Sequence, residues 1–165
     1  MAKNIVRLDI VEGKPRTFVA DKALENGFFL EIKGKAQNAV FGAVDYEAYA
    51  VELANASTAR EDLLFHASVE NMYDERLLKA DFELEAGMPG RGYQLVLGDI
   101  VTIPKKLISG EVVVGAELCL TADGKLVVGS GAGKIAVVEA LEDIVVPLYG
   151  FGADEVQESV VIRIA

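Results

Sequence analysis

A mainly β protein is the fold class that the sequence predicts: a compact barrel or sandwich of short antiparallel strands with one or two short helices. Three observations carry it. Apolar and polar residues alternate with a period of two along most of the chain. Clusters of Gly, Pro, Asp and Asn interrupt those runs at roughly the 8–12-residue spacing of all-β domains. Only one stretch is spaced for a helix of any length. The 165 residues suit one domain spanning 1–165.

The elements follow in order. Val6, Leu8 and Ile10 alternate with Arg7, Asp9 and Glu12, the pattern of a half-buried strand. Glu12-Gly13-Lys14-Pro15 is a turn cluster, and Thr17-Phe18-Val19 starts a second strand. Asp21 to Gly27 reads as one helical turn, with Asp21 as N-cap and Gly27 as its stop. Phe28 to Ile32 resumes strand character, and Asn38 to Val44 suits either strand or loop. Tyr49, Val51 and Leu53 alternate as a strand, Asn55 to Arg60 is a polar loop, and Leu63 to Val69 is extended.

Tyr73, Leu77, Ala80 and Leu84 share one helical face behind Asp74, although Phe82-Glu83-Leu84-Glu85 also alternates like a strand. Gly87-Met88-Pro89-Gly90-Arg91-Gly92 is a hard break. It allows an N-terminal lobe over 1–86 and a C-terminal β-barrel-like lobe over 92–165. Strands are then expected at Tyr93 to Leu97, Ile100 to Ile103, Glu111 to Val114, Leu118 to Thr121, Leu126 to Val128, Ile135 to Leu141 and Val156 to Ala165. Asp123-Gly124 between two alternating runs is a strong hairpin signal.

Composition narrows the function classes. The 16 basic and 26 acidic side chains give a net charge of −10 without a Lys/Arg cluster, which argues against a nucleic-acid partner. No apolar run approaches the ~20 residues that span a bilayer, and no signal-peptide pattern opens the chain. A single cysteine, Cys119, excludes an internal disulfide, and a single histidine, His66, excludes His-pair metal motifs. No cofactor is expected.

Gly129-Ser130-Gly131-Ala132-Gly133-Lys134 has the look of a phosphate loop, but Val128 stands where its first Gly belongs and Ile135 where Ser or Thr must reach magnesium. A hairpin tip between two strands is the plainer reading. His66 lies near Glu61, Asp62 and Glu70, so a triad with a distant Ser and Asp could assemble in space. No Gly-x-Ser-x-Gly elbow presents a nucleophile, which favours a structural histidine. Cys119, inside an apolar strand, reads as a buried inert thiol. The sequence offers no catalytic residues.

Two features point to contact surfaces instead. Ile144 to Ala153 carries no charge across ten residues, contains Pro147, Gly150 and Gly152, and is flanked by Glu142-Asp143 and Asp154-Glu155. An apolar, aromatic, acid-rimmed loop suits a protein contact, with Val146, Leu148, Tyr149 and Phe151 as its candidate residues; a loop folded under the core is the structural alternative. The ends also differ in charge. Residues 139–158 hold six acids and no base, whereas Lys3 and Arg7 lead a mildly basic N-terminus.

The runs Tyr73-Asp74-Glu75-Arg76, Phe82 to Gly87, Arg91 to Leu95, Gly98 to Thr102, Val114 to Leu118 and Asp123 to Leu126 together resemble the small head decoration, or cement, proteins of tailed bacteriophages. Ala116 stands where that group carries an acidic residue. The resemblance implies a non-catalytic virion protein, made in the host cytoplasm, that binds the major capsid protein on the shell surface. It implies self-association, a trimer favoured. Within it, Lys3 to Ile10, with Lys3 and Arg7, is the candidate arm toward the shell, and Val145 to Phe151 the candidate oligomer contact. A tail or baseplate component has the same composition. A ligand-binding or enzymatic β-barrel assembled around His66 or Cys119 is the reading from another class.

Overall fold

The computed structural model describes residues 4–36, 40, 41, 44, 45, 47–68, 82–147 and 154–165. It is mainly β, as the alternation predicts. A closed barrel is built from β2 (Lys14–Val19), β3 (Phe29–Lys35), β6 (Tyr49–Leu53), β7 (Leu63–His66) and β8 (Pro89–Gln94), in the order β2-β6-β3-β7-β8. A seven-stranded sheet takes the remaining long strands in the order β1-β9-β14-β13-β11-β12-β10. Its members are β1 (Arg7–Ile10), β9 (Ile100–Pro104), β10 (Ile108–Ser109), β11 (Glu117–Leu120), β12 (Leu126–Val128), β13 (Lys134–Pro147) and β14 (Asp154–Ile164). Between β3 and β6, β4 (Val40–Phe41) and β5 (Val44–Asp45) form a small hairpin.

The period of two sorts the barrel side chains. Phe18, Leu30, Val51 and Leu64 fill the barrel with Phe82 and Leu84. Their neighbours Phe29 and Phe65 point outward and meet Val101, Ile103, Leu118, Val160 and Ile162 of the sheet in the larger core. Barrel and sheet therefore share one apolar layer, and both faces of β3 and β7 are used.

Barrel closure falls in residues 14–94, whereas the sequence suggests it for 92–165. The expected break at Gly87–Gly92 is largely strand: Pro89–Gln94 pairs with all of β2. The reason is space. A Cβ on Gly90 would stand 2.5 Å from a Leu84 methyl and 2.6 Å from the Phe18 ring, so this strand needs glycine to let the barrel close. Pro15 is tolerated in β2 because residues before Phe18 pair only with β8, leaving one side free.

Asp21–Gly27 is not a helical turn. Leu24 forms a bridge with Leu84, N–H to carbonyl at 2.8 Å in both directions, and buries its side chain in the barrel core. This tertiary pairing outweighs a local cap, and it uses the strand-like alternation of 82–85. The rest of the expected helix, 73–81, lies outside the described residues, as do positions 38, 39, 42 and 43 of the ambiguous Asn38–Val44 segment.

Two joints tie sheet to barrel. Asp99, 1% exposed, accepts backbone N–H groups from Glu12 (2.9 Å), Gly13 (3.0 Å) and Val96 (2.9 Å). Those donors lie in the two connections, β1 to β2 and β8 to β9, that cross between the layers. The second joint is the Asp123-Gly124 turn. Gly124, at φ +73°, receives the Phe29 N–H and donates to Ala54 (2.8 and 2.9 Å), so the hairpin tip docks onto the barrel. The hairpin itself is as expected, though Leu120 pairs with Leu126 and the connection is five residues long.

Candidate functional site

His66 closes the inner wall of the barrel. Its ring is 0% exposed and meets the Phe18 ring edge-on at 5.1 Å. Nδ1 lies 2.8 Å from the Glu25 carbonyl and Nε2 2.8 Å from Ser68 Oγ. Ser68 Oγ already accepts the Arg91 N–H at 3.0 Å, so its single hydrogen is available to Nε2. This assigns the neutral tautomer with the proton on Nδ1, donated to Glu25. Burial is the main reason the imidazole pKa falls to about 4, opposed in part by the Glu25 hydrogen bond.

Asn26 extends the network. It donates to the Ser68 carbonyl and accepts the Ser68 N–H, while Asn4 donates to the Asn26 carbonyl. A hydroxyl aimed at an imidazole nitrogen has the form of a nucleophile and its base. Here each of those polar atoms is bonded within the protein, and the pair joins β7 to the segments at 25–27 and 91. It was missed from sequence because Ser68 lies two residues from His66 in an ordinary strand pattern.

Cys119 is 8% exposed, and its thiol donates to the Gly129 carbonyl at 3.2 Å. That contact explains the glycine-rich segment. β12 and β13 both pair with β11 and not with each other, so 129–133 is a crossover rather than a hairpin tip. Small residues let it pass across the face of β11 that carries Cys119. Lys134, the residue that invited a phosphate-loop reading, pairs with Glu117 at 2.6 Å. Among the described residues no group of three or more His, Cys, Asp or Glu could hold a metal, and no helix is long and apolar enough to cross a membrane.

The most conspicuous surface feature is a two-stranded ribbon. β13 and β14 pair from Ala136–Ile164 out to Pro147–Asp154. β9 leaves β14 at the Ser159–Pro104 pair, and β11 leaves β13 at Val137. Over 142–147 and 154–158 the two strands therefore have only each other as strand neighbours among the described residues. The uncharged segment expected to be an irregular loop is strand through Pro147, which a ribbon without a third strand tolerates. Pro104 cannot continue the ladder, and a 3-10 turn at Lys105–Leu107 carries the chain away. Between that turn and β14 lies a groove of about 400 Å³ whose wall carries two lysines, Lys105 and Lys106, and two acids, Glu155 and Glu158, with Pro104, Ile108, Val156 and Gln157 between them.

Of the candidate contact residues, Val146 is in β13 opposite Glu155. Lys3, Leu148, Tyr149 and Phe151 lie outside the described residues. Arg7 is in β1, an edge strand exposed at every position. Its guanidinium is occupied within the chain, binding Asp9, Glu142 at 2.6 Å and Thr102 at 3.2 Å. No family model, no curated protein and no solved structure matches this chain.

Proposed function

We propose that this chain is a structural virion protein of a tailed bacteriophage, which decorates the capsid shell as an oligomer and stabilises it by non-covalent contacts. The observation that carries the reading is the projecting β13–β14 ribbon with Leu141, Val145 and Val156 exposed at 50, 61 and 56%. An apolar arm reaching beyond its own core suits a protein whose work is contact. The resemblance of the Tyr73–Leu126 runs to head decoration proteins supplies the setting: the virion surface, with the major capsid protein as partner. On this reading the protein does no catalysis. It binds the assembled shell in preference to dissociated subunits, and that preference alone stabilises the assembly. Repetition around a lattice multiplies modest contacts, and self-association, with a trimer favoured, adds to the effect. The open edge of β1, with Leu8 and Ile10 exposed at 36 and 57%, is the surface assigned to the shell.

Co-sedimentation tests this reading. Purified protein is mixed with expanded shells, lacking it, of the phage that encodes it. Saturable co-pelleting is the expected result, together with a higher shell melting temperature. Absence of binding to those shells overturns the assignment.

A further inference from the structure

We propose that Asn26 is a latent deamidation site: the closed barrel holds it in the amide form, and opening of the barrel wall at residues 66–68 converts it irreversibly to aspartate and isoaspartate. This chemistry stands whether or not the chain binds a shell.

Asn26-Gly27 is the one Asn-Gly step in the sequence; the other four asparagines precede Ile5, Ala39, Ala56 and Met72. An asparagine cyclises when the backbone nitrogen of the next residue, having lost its proton, attacks the side-chain carbonyl carbon. A side chain on that next residue hinders the approach, and glycine has none. The new N–Cγ bond forms as ammonia leaves, which gives a succinimide. Water then opens one or other ring carbonyl. The product is an aspartate, or an isoaspartate whose main chain runs through the side-chain carbon. Only water is consumed.

In the folded chain neither reacting group is available. Asn26 is 0% exposed, its Nδ2 donates to the Ser68 carbonyl at 3.1 Å, and its Oδ1 accepts the Ser68 N–H at 2.9 Å. The Gly27 N–H donates to the His66 carbonyl at 2.9 Å. Attack requires the amide to swing off Ser68 and the Gly27 N–H to meet a base from solvent. Both restraints come from residues 66 and 68, so one movement of that segment away from 26–27 removes them together. The fold also needs the glycine that makes the step reactive. Gly27 has φ +97°, and a Cβ there would stand 2.7 Å from a Leu107 methyl.

The products do not fit the closed wall. Aspartate places an oxygen where Nδ2 donated, facing the Ser68 carbonyl oxygen in a site shut off from water. Isoaspartate lengthens the main chain by a methylene between two fixed points. Leu24 is bridged to Leu84, and the Phe29 N–H is held by the Gly124 carbonyl. Conversion therefore makes the opening permanent.

Peptide mapping by mass spectrometry on the full chain, incubated at mildly alkaline pH, tests the site. In unfolding urea Asn26 is expected to convert before any other asparagine. In native buffer it is expected to convert at least ~100-fold more slowly, the factor being set by the opening equilibrium of the wall. Urea below the unfolding transition is expected to raise the native rate. Converted chains diluted out of urea, and the Asn26→Asp variant, are expected to melt below wild type or to remain unfolded. Native conversion at the unfolded rate, another asparagine converting first in urea, or a native rate unmoved by sub-denaturing urea each overturn the proposal. So do converted chains, or an Asn26→Asp variant, that melt like wild type.

Discussion

The one histidine of the chain makes a sharp test of the barrel wall. Unfolded, His66 titrates near 6.5; folded, its pKa lies at about 4 because the ring is enclosed and its Nε2 already accepts from Ser68. Between those values the unfolded chain takes up a proton that the folded chain refuses. Stability is therefore fully present above pH 6.5, falls as the pH is lowered, and levels off below about 4. A separation of this size corresponds to about 3 kcal/mol in total, with a limiting slope of about 1.4 kcal/mol per pH unit.

His66→Gln isolates the term. A glutamine amide can accept from Ser68 and donate to the Glu25 carbonyl, yet it does not titrate. Urea unfolding of wild type and His66→Gln from pH 7 to pH 4 gives two curves, both including the acidic groups. Their difference is the histidine contribution and should approach about one proton within the window. The single Cε1 resonance of the ring reports the same pKa by NMR. A ring that titrates near 6.5, or parallel curves for the two proteins, would refute the assignment of a buried neutral imidazole.

The other predictions follow from the joints. Asp99→Ala strands three backbone donors, all of them in the barrel–sheet connections, and should cost roughly 3–5 kcal/mol in chemical denaturation. Gly124→Ala combines φ +73° with a Cβ 2.5 Å from the Phe29 carbonyl oxygen and should cost well above the ~1–2 kcal/mol of left-handed strain alone. Gly98→Ala, at φ +93° in open space, serves as the comparison and should cost only that strain, about 1 kcal/mol, by the same measurement. Arg7→Ala removes ion pairs to side chains that water already reaches, so a loss below about 1 kcal/mol is expected. A loss of several kcal/mol would instead make the guanidinium the main tether of β1.

The candidate site was only partly legible in advance. The acid-rich, base-free stretch 139–158 marked the ribbon because charge excess is a one-dimensional property. Its extended form was hidden: Pro147 and the nearby glycines argue against a central strand, and only the absence of a third neighbour makes a strand acceptable there. The His66–Ser68 pair and the Asp99 joint left no readable signal, since their partners at Glu25, Asn26, Glu12 and Arg91 come from distant parts of the chain.

By itself the sequence determined the β class, most strand positions and the Asp123-Gly124 hairpin, because period-two burial and turn chemistry are local. The tertiary structure alone decided which strands are neighbours. It closed the barrel in residues 14–94, flattened Leu24 into a bridge with Leu84, and made a strand of the Gly90–Gly92 region. The physical reason is that alternation records which side of a strand is buried, not by what. A glycine can mark a free turn, as at Gly98, or a place where another side chain must fit, as Phe18 does at Gly90; only packing distinguishes them.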